Sequence, residues 1–151
     1  MAIILDLFSR KVVGMALQET MKAELVVEAL TAAILLRRPP AELIHHSDLW
    51  GQYTSHALYK KAHAYGIQLS HGKTACSYDN AAMESFFHTL KTELTHFKTY
   101  QTIEEARLDI FTYIYAFYNS KRKHSTLNYQ APNQWEKNYN QTQTISIQSV
   151  R

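Results

Sequence analysis

The sequence predicts an α/β fold, a sheet with helices on its faces, and three observations predict it. An apolar, β-branched hairpin opens the chain. Short strand-like runs then alternate with longer stretches of helical period. Chain-breaking residues, Pro39-Pro40 and Gly66, fall at the joints between these segments.

Each element has its own local reason. Residues 2–7 form an apolar run, 8–11 a turn and 12–17 a second strand. Thr20 is placed to cap a helix over 21–37, with Leu25, Ala29, Ala32, Ala33 and Leu36 on one face. Arg37 and Arg38 suit its C-terminal end, and Pro39-Pro40 stops it. Residues 42–46 read as a short strand ending at Ser47-Asp48. A helix over 55–65 is closed by Gly66, and 67–70 is another short strand. A polar stretch, 71–79, leads into a helix over about 80–97. Its apolar stripe is Met83, Phe86, Phe87, Leu90, Leu94 and Phe97. Thr102 and Glu105 have capping-box spacing and open a further helix. Ile103, Ala106, Ile110, Tyr113, Ile114 and Phe117 should face inward from it. A basic segment, Lys121-Arg122-Lys123-His124, follows, and Pro132 can begin a short last helix. The tail from Asn140 is polar and expected to fray. No repeat or linker divides the chain, so 1–137 reads as one domain and 138–151 as a polar tail.

Composition narrows the function classes. A chain of 151 residues is the size of one domain. With 46% hydrophobic and 19% charged residues it suits a packed core and not disorder. No apolar run approaches the roughly 20 residues of a membrane span, and the N-terminus lacks a signal-peptide pattern. The single cysteine, Cys76, excludes an internal disulfide and fits a reducing cytosol. A net charge of +3 and a pI near 8.9 permit a nucleic-acid partner without demonstrating one.

Asp48 stands at a strand end, where active sites of α/β sheets gather. Phosphodiester chemistry needs an activated nucleophile and a stabilised leaving oxygen, which a pair of magnesium ions can supply. Magnesium takes a few carboxylates plus water and substrate phosphate. Glu84 lies near the start of a helix, 36 positions after Asp48. Glu84, His88 and Lys91 fall at i, i+4 and i+7, so they share a face, with Asn80 one turn before. That set suits a metal beside a phosphate backbone; a solvated helix face would look the same. A histidine-based zinc site is a further reading, from His45, His46, His56, His63 and His71. No two of these have convincing ligand spacing, although His56 and His63 lie two turns apart on one helix.

His45-His46-Ser47-Asp48, followed by Gln52-Tyr53, resembles the second-aspartate motif of insertion-sequence transposases with a retroviral-integrase-like core. Tyr78-Asp79-Asn80-Ala81-Ala82-Met83-Glu84-Ser85-Phe86-Phe87, running on to Leu90-Lys91-Thr92-Glu93, resembles their glutamate motif. The 35 residues between Asp48 and Glu84 match the spacing of that class. Asp6-Leu7-Phe8-Ser9-Arg10 with Val13-Gly14 is similar to the preceding hairpin. Tyr118-Asn119, Arg122, His124-Ser125, Leu127, Tyr129 and Pro132 are similar to the C-terminal signature. The resemblance runs from residue 2 to about 137. It implies a ribonuclease-H-like mixed sheet and the cutting and joining of DNA strands with Mg2+, for which Mn2+ can substitute. It implies that Asp48 and Glu84 bind metal, and that Lys91, Asn80 and His88 meet DNA near the cut. Lys121, Arg122 and Lys123 would hold phosphates, contacts that position DNA without reading it. Paired subunits, as a homo-oligomer or with full-length transposase, and a bacterial cytoplasm with its nucleoid are implied too.

The sequence also departs from that family. The family's first catalytic aspartate lies on a central first strand, and this sequence begins inside the second, so it reads as N-terminally truncated. Two of three acids remain. Without that strand, buried backbone groups on its neighbours would be unpaired. The expectation is a chain that folds poorly or closes the gap with other pairing, and that transfers no strands alone. Asp6 matches the hairpin's own aspartate and reads as structural. Leu49-Trp50-Gly51 replaces a short polar step, and Trp50 would pack or stack on a base. The alternative function is a non-enzymatic DNA-binding or partner-binding transposase fragment.

Overall fold

The computed structural model describes residues 1–48, 51, 53–71 and 81–148, with side chains as far as 142. In order come β1 (Ala2–Leu5), β2 (Val12–Ala16), α1 (Ala23–Arg37), β3 (Ile44–Ser47), α2 (His56–Ala64) and β4 (Gln68–His71). Then follow α3 (Ala81–Glu93), α4 (Ile103–Thr112), a π-helical turn Tyr113–Tyr118 and α5 (Pro132–Gln148).

The α/β class holds, but the sheet is split. β1 pairs antiparallel with β2, β3 pairs parallel with β4, and no described strand joins the two pairs. The expected replacement pairing is not present among the described residues. The hairpin is buried on both faces because its side chains alternate. Ala2, Ile4 and Ala16 pack toward Leu25, Ala29 and Leu30 of α1, in a cluster shared with Leu58 and Ala62 of α2. Ile3 and Val12 face the other way, onto Phe86, Leu90, Ile110 and Ile114. Gly14 lets α1 cross close over β2. A Cβ there would overlap the Ala29 carbonyl oxygen and lie 2.9 Å from Ala33 Cβ.

Several boundaries differ from expectation for local reasons. α1 starts after Lys22, which makes no side-chain cap, so Thr20 is not the cap. Its last turn points outward, leaving Leu36 53% exposed, while Val26, Leu30 and Ile34 are buried. α3 ends at Glu93 because Leu94 leaves the helical region, and Phe97 then stands 79% exposed. Thr102 caps α4 as its spacing predicts: its hydroxyl accepts from Glu105 N at 3.1 Å. The π turn adds a residue, so Tyr118 and Asn119 turn inward and Phe117 outward. α5 runs to Gln148, through the segment expected to be a frayed tail. No helix among the described residues is long and apolar enough to cross a membrane.

Candidate active site

Asp48 follows β3 directly and is half-buried. The strand that delivers it is fixed by register. His46 and Ser47 stand opposite Ser70 and His71, with Nδ1 of each histidine 3.1 and 3.3 Å from the facing serine oxygen. His71 Nε2 lies 3.1 Å from the Tyr59 hydroxyl, tying β4 to α2. Burial lowers the proton affinity of His45, and the neighbouring His46 and His71 lower it further. Burial raises the Tyr53 hydroxyl, and the charge of Asp48 adds to this, so the two lie near each other.

Glu84 lies in the first turn of α3 and is exposed. His88 and Lys91 are exposed on the same helix. The buried side of α3 is Phe86 and Leu90, with Phe86 edge-on to Tyr118 at 5.0 Å. The spacing argument thus gave the correct polar and apolar sides of this helix. Asn80, Leu49, Trp50, Cys76 and the start of the glutamate motif lie outside the described residues.

Carboxylate oxygens are the donors magnesium takes, so Asp48 and Glu84 fit that ion in kind. Among the described residues no three Asp, Glu, His or Cys side chains form a group that could hold a metal. Asp6 serves the hairpin. One of its oxygens accepts from Phe8 N and Ser9 N at 2.9 and 3.0 Å, and the other accepts from Arg37 at 3.2 Å. His56 and His63 are exposed on α2.

The basic segment separates into two kinds of residue. Lys121 and Lys123 are exposed. Arg122 is half-buried, and its Nε and Nη2 both reach Glu93 Oε1 at 2.8 Å. Tyr113 donates to the other Glu93 oxygen at 2.7 Å. Burial alone would raise the Glu93 carboxyl, but the bonds from Arg122 and Tyr113 outweigh it and hold it low. His124 packs edge-on to Tyr118 at 4.9 Å, and burial with the Arg122 charge lowers it to about 4.

Sequence reasoning missed three structural side chains. Asn119, 1% exposed, takes the place of a neighbouring strand: it accepts from Val12 N at 3.0 Å and donates to Val12 O at 2.9 Å. Arg37 bridges Asp6 and Glu136, docking α5 on the hairpin, where Phe8 meets Tyr139 at 4.8 Å. The Asp6-to-Ser9 spacing of an Asx turn was a usable signal for the first partner of Arg37. The C-terminal signature marked Asn119 but not its role, and nothing local signals Glu136; their partners are over a hundred and 99 positions away respectively.

Residues 1–77 and again 84–139 match models described as the integrase core domain. A transposase for insertion sequence element IS904 from Lactococcus lactis is 41% identical over 137 residues, covering 91% of this chain and 54% of that protein. Transposase InsF for insertion sequence IS3A from Escherichia coli is 37% identical over 136 residues, covering 90% and 47%. This chain therefore spans about half the length of those relatives. The crystal structure of the catalytic core domain of BIV integrase superposes with a TM-score of 0.62 at 18% identity, covering 94% of this chain and 88% of that one.

Proposed function

The chain belongs to the integrase core family, and from that premise we propose that it is the catalytic-core segment of an insertion-sequence transposase acting on DNA. The observation that carries this reading is the placement of the two motif acids. Asp48 leaves the end of a parallel strand, and Glu84 begins a helix whose other side is anchored in the core. In our reading Asp48 and Glu84 hold a divalent ion, Mg2+ or Mn2+, which supplies charge stabilisation at a phosphodiester. Lys91 and His88, on the exposed side of the same helix, lie beside the strand being cut. Residues 1–151 contribute two of three acidic ligands, and by themselves they do not transfer strands. DNA ends and target are the partners, engaged by paired subunits, in a bacterial cytoplasm.

Mn2+ titration followed by electron paramagnetic resonance tests the ligand assignment. Bound Mn2+ should be lost in both Asp48→Asn and Glu84→Gln; retention in both would overturn it. Strand transfer is read on labelled oligonucleotide ends. Magnesium-dependent joining by the chain alone, abolished by Glu84→Gln, would overturn the inactive-alone reading.

A further inference from the structure

A groove enclosing about 480 Å3 lies between α3 and the loop that follows the π turn. We propose that this groove binds the phosphate backbone of a single DNA strand, with Arg10 and Lys123 as its cations and Tyr129 as the platform for a base. The proposal rests on the reading above for DNA as the partner.

Three features support it. The first is charge. Among the described residues no carboxylate lines the groove, and neither Arg10 nor Lys123 makes an ion pair. Arg122 also reaches the wall, but Glu93 offsets its charge. Among the described residues the wall thus carries two positive charges with no ion-pair partner, from Arg10 and Lys123. The second is hydrogen-bonding type. Ser85 of α3 and Ser125 and Thr126 of the loop line the groove together. Hydroxyls among cations suit phosphodiester oxygens, which accept and do not donate. The third is the aromatic. Tyr129 lines the groove while 71% exposed, which leaves its ring free for an unpaired base.

Arg10 is the unexpected member, since it comes from the hairpin turn, over a hundred residues before Lys123. Its backbone is left-handed, at φ 58. That turn is fixed by the Asp6 bonds to Phe8 and Ser9. After burial and Arg122, Arg10 is the next charge to lower the proton affinity of His124, which puts its guanidinium near the groove base. The groove also includes the side of α3 next to Glu84, so a strand lying in it runs beside the proposed metal ligand.

Fluorescence anisotropy of a labelled single-stranded oligonucleotide and its duplex, in EDTA and over a series of salt concentrations, tests this. Omitting metal separates the result from the assignment of Asp48 and Glu84. Arg10→Asn keeps a residue that tolerates the left-handed backbone, and Lys123→Gln alters only an exposed side chain. Each should weaken single-strand binding roughly 3- to 10-fold and reduce the salt slope by about 0.7. Tyr129→Ala should weaken the single strand more than the duplex, and Lys60→Gln, on α2, should change neither. Unchanged affinity and slope in both Arg10→Asn and Lys123→Gln would overturn the site. Equal loss on single strand and duplex, with no effect of Tyr129→Ala, would overturn the single-strand assignment.

Discussion

Replacing Asn119 with leucine removes two hydrogen bonds and keeps the number and branching of side-chain heavy atoms. Asn119 is 1% exposed and Val12 fully buried, so water cannot take over from the lost amide. The Val12 N–H and C=O would both be stranded. An orphaned buried polar group costs about 1–3 kcal/mol, and carbonyls sit toward the lower end. Relief from burying the amide offsets part of this, leaving a net loss of about 3 kcal/mol. That corresponds to a fall in melting temperature of roughly 6–12 °C for a domain of this size. Urea unfolding followed by circular dichroism reads the same loss at constant slope. Asn119→Asp sharpens the test. It keeps an acceptor for Val12 N–H but puts an anion against Val12 O. Its carboxyl would be raised in the folded state, so this variant should lose stability as pH rises through the ordinary aspartate range and recover toward acid. A loss under about 1 kcal/mol in Asn119→Leu, or wild-type stability of Asn119→Asp at neutral pH, would refute the strand-mimic role.

Gly14→Ala should destabilise by about 2–3 kcal/mol in thermal unfolding, because the new methyl meets helix backbone that cannot move independently of α1. His124 is held at about 4, below its unfolded value, so it favours the folded state most above pH 6.5. That stability should drain away between pH 6.5 and 4, by about 1–2 kcal/mol after allowing for solvent screening, and His124→Phe should flatten the slope in a pH series of urea melts. Native hydrogen exchange should show weak protection at β1 amides directed away from β2 and at β3 amides directed away from β4. The amides of α1 should be strongly protected; equal, strong protection of both sheet edges would show that those edges are paired in solution.

Most of the fold was legible in the sequence, and the exceptions have physical causes. The hairpin, α1, α2 and the start of α4 carry their own signals. Alternation sets the hairpin, Ser55 accepts from Leu58 N to open α2, and Thr102 opens α4. Phe117 was misplaced because a period of 3.6 was carried through a π turn, after which Asn119 bonds to Val12. Phe97 was misplaced because an apolar stripe does not reveal where backbone geometry breaks. α5 was cut short because its later residues are polar, with no apolar stripe to mark a helix. The site divided similarly. Motif and helical spacing pointed to Asp48, Glu84, His88 and Lys91 as candidates, whereas Arg10 joins the groove only through folding.

The C-terminal signature follows the two acidic motifs in sequence, but its structural work is directed back at them. Tyr118 packs against Phe86, on the buried side of Glu84's helix. Arg122 and Tyr113 hold Glu93, at the end of that helix. Asn119 fixes the same turn to β2, and Asn133 N donates to the Asn119 carbonyl at 2.9 Å, continuing the chain of contacts into α5. Leu127 and Pro132, both signature residues, are buried beneath the loop and the start of α5. These contacts leave Glu84 at one end of a helix whose core side and far end are both secured. A carboxylate on an otherwise exposed first turn is thereby given a defined position relative to the hairpin. The same contacts bring Lys123 to the groove that Arg10 enters from the hairpin turn. By joining hairpin, α3 and α5 through a single turn, the signature would keep the proposed metal ligand and the proposed phosphate contacts in fixed mutual positions.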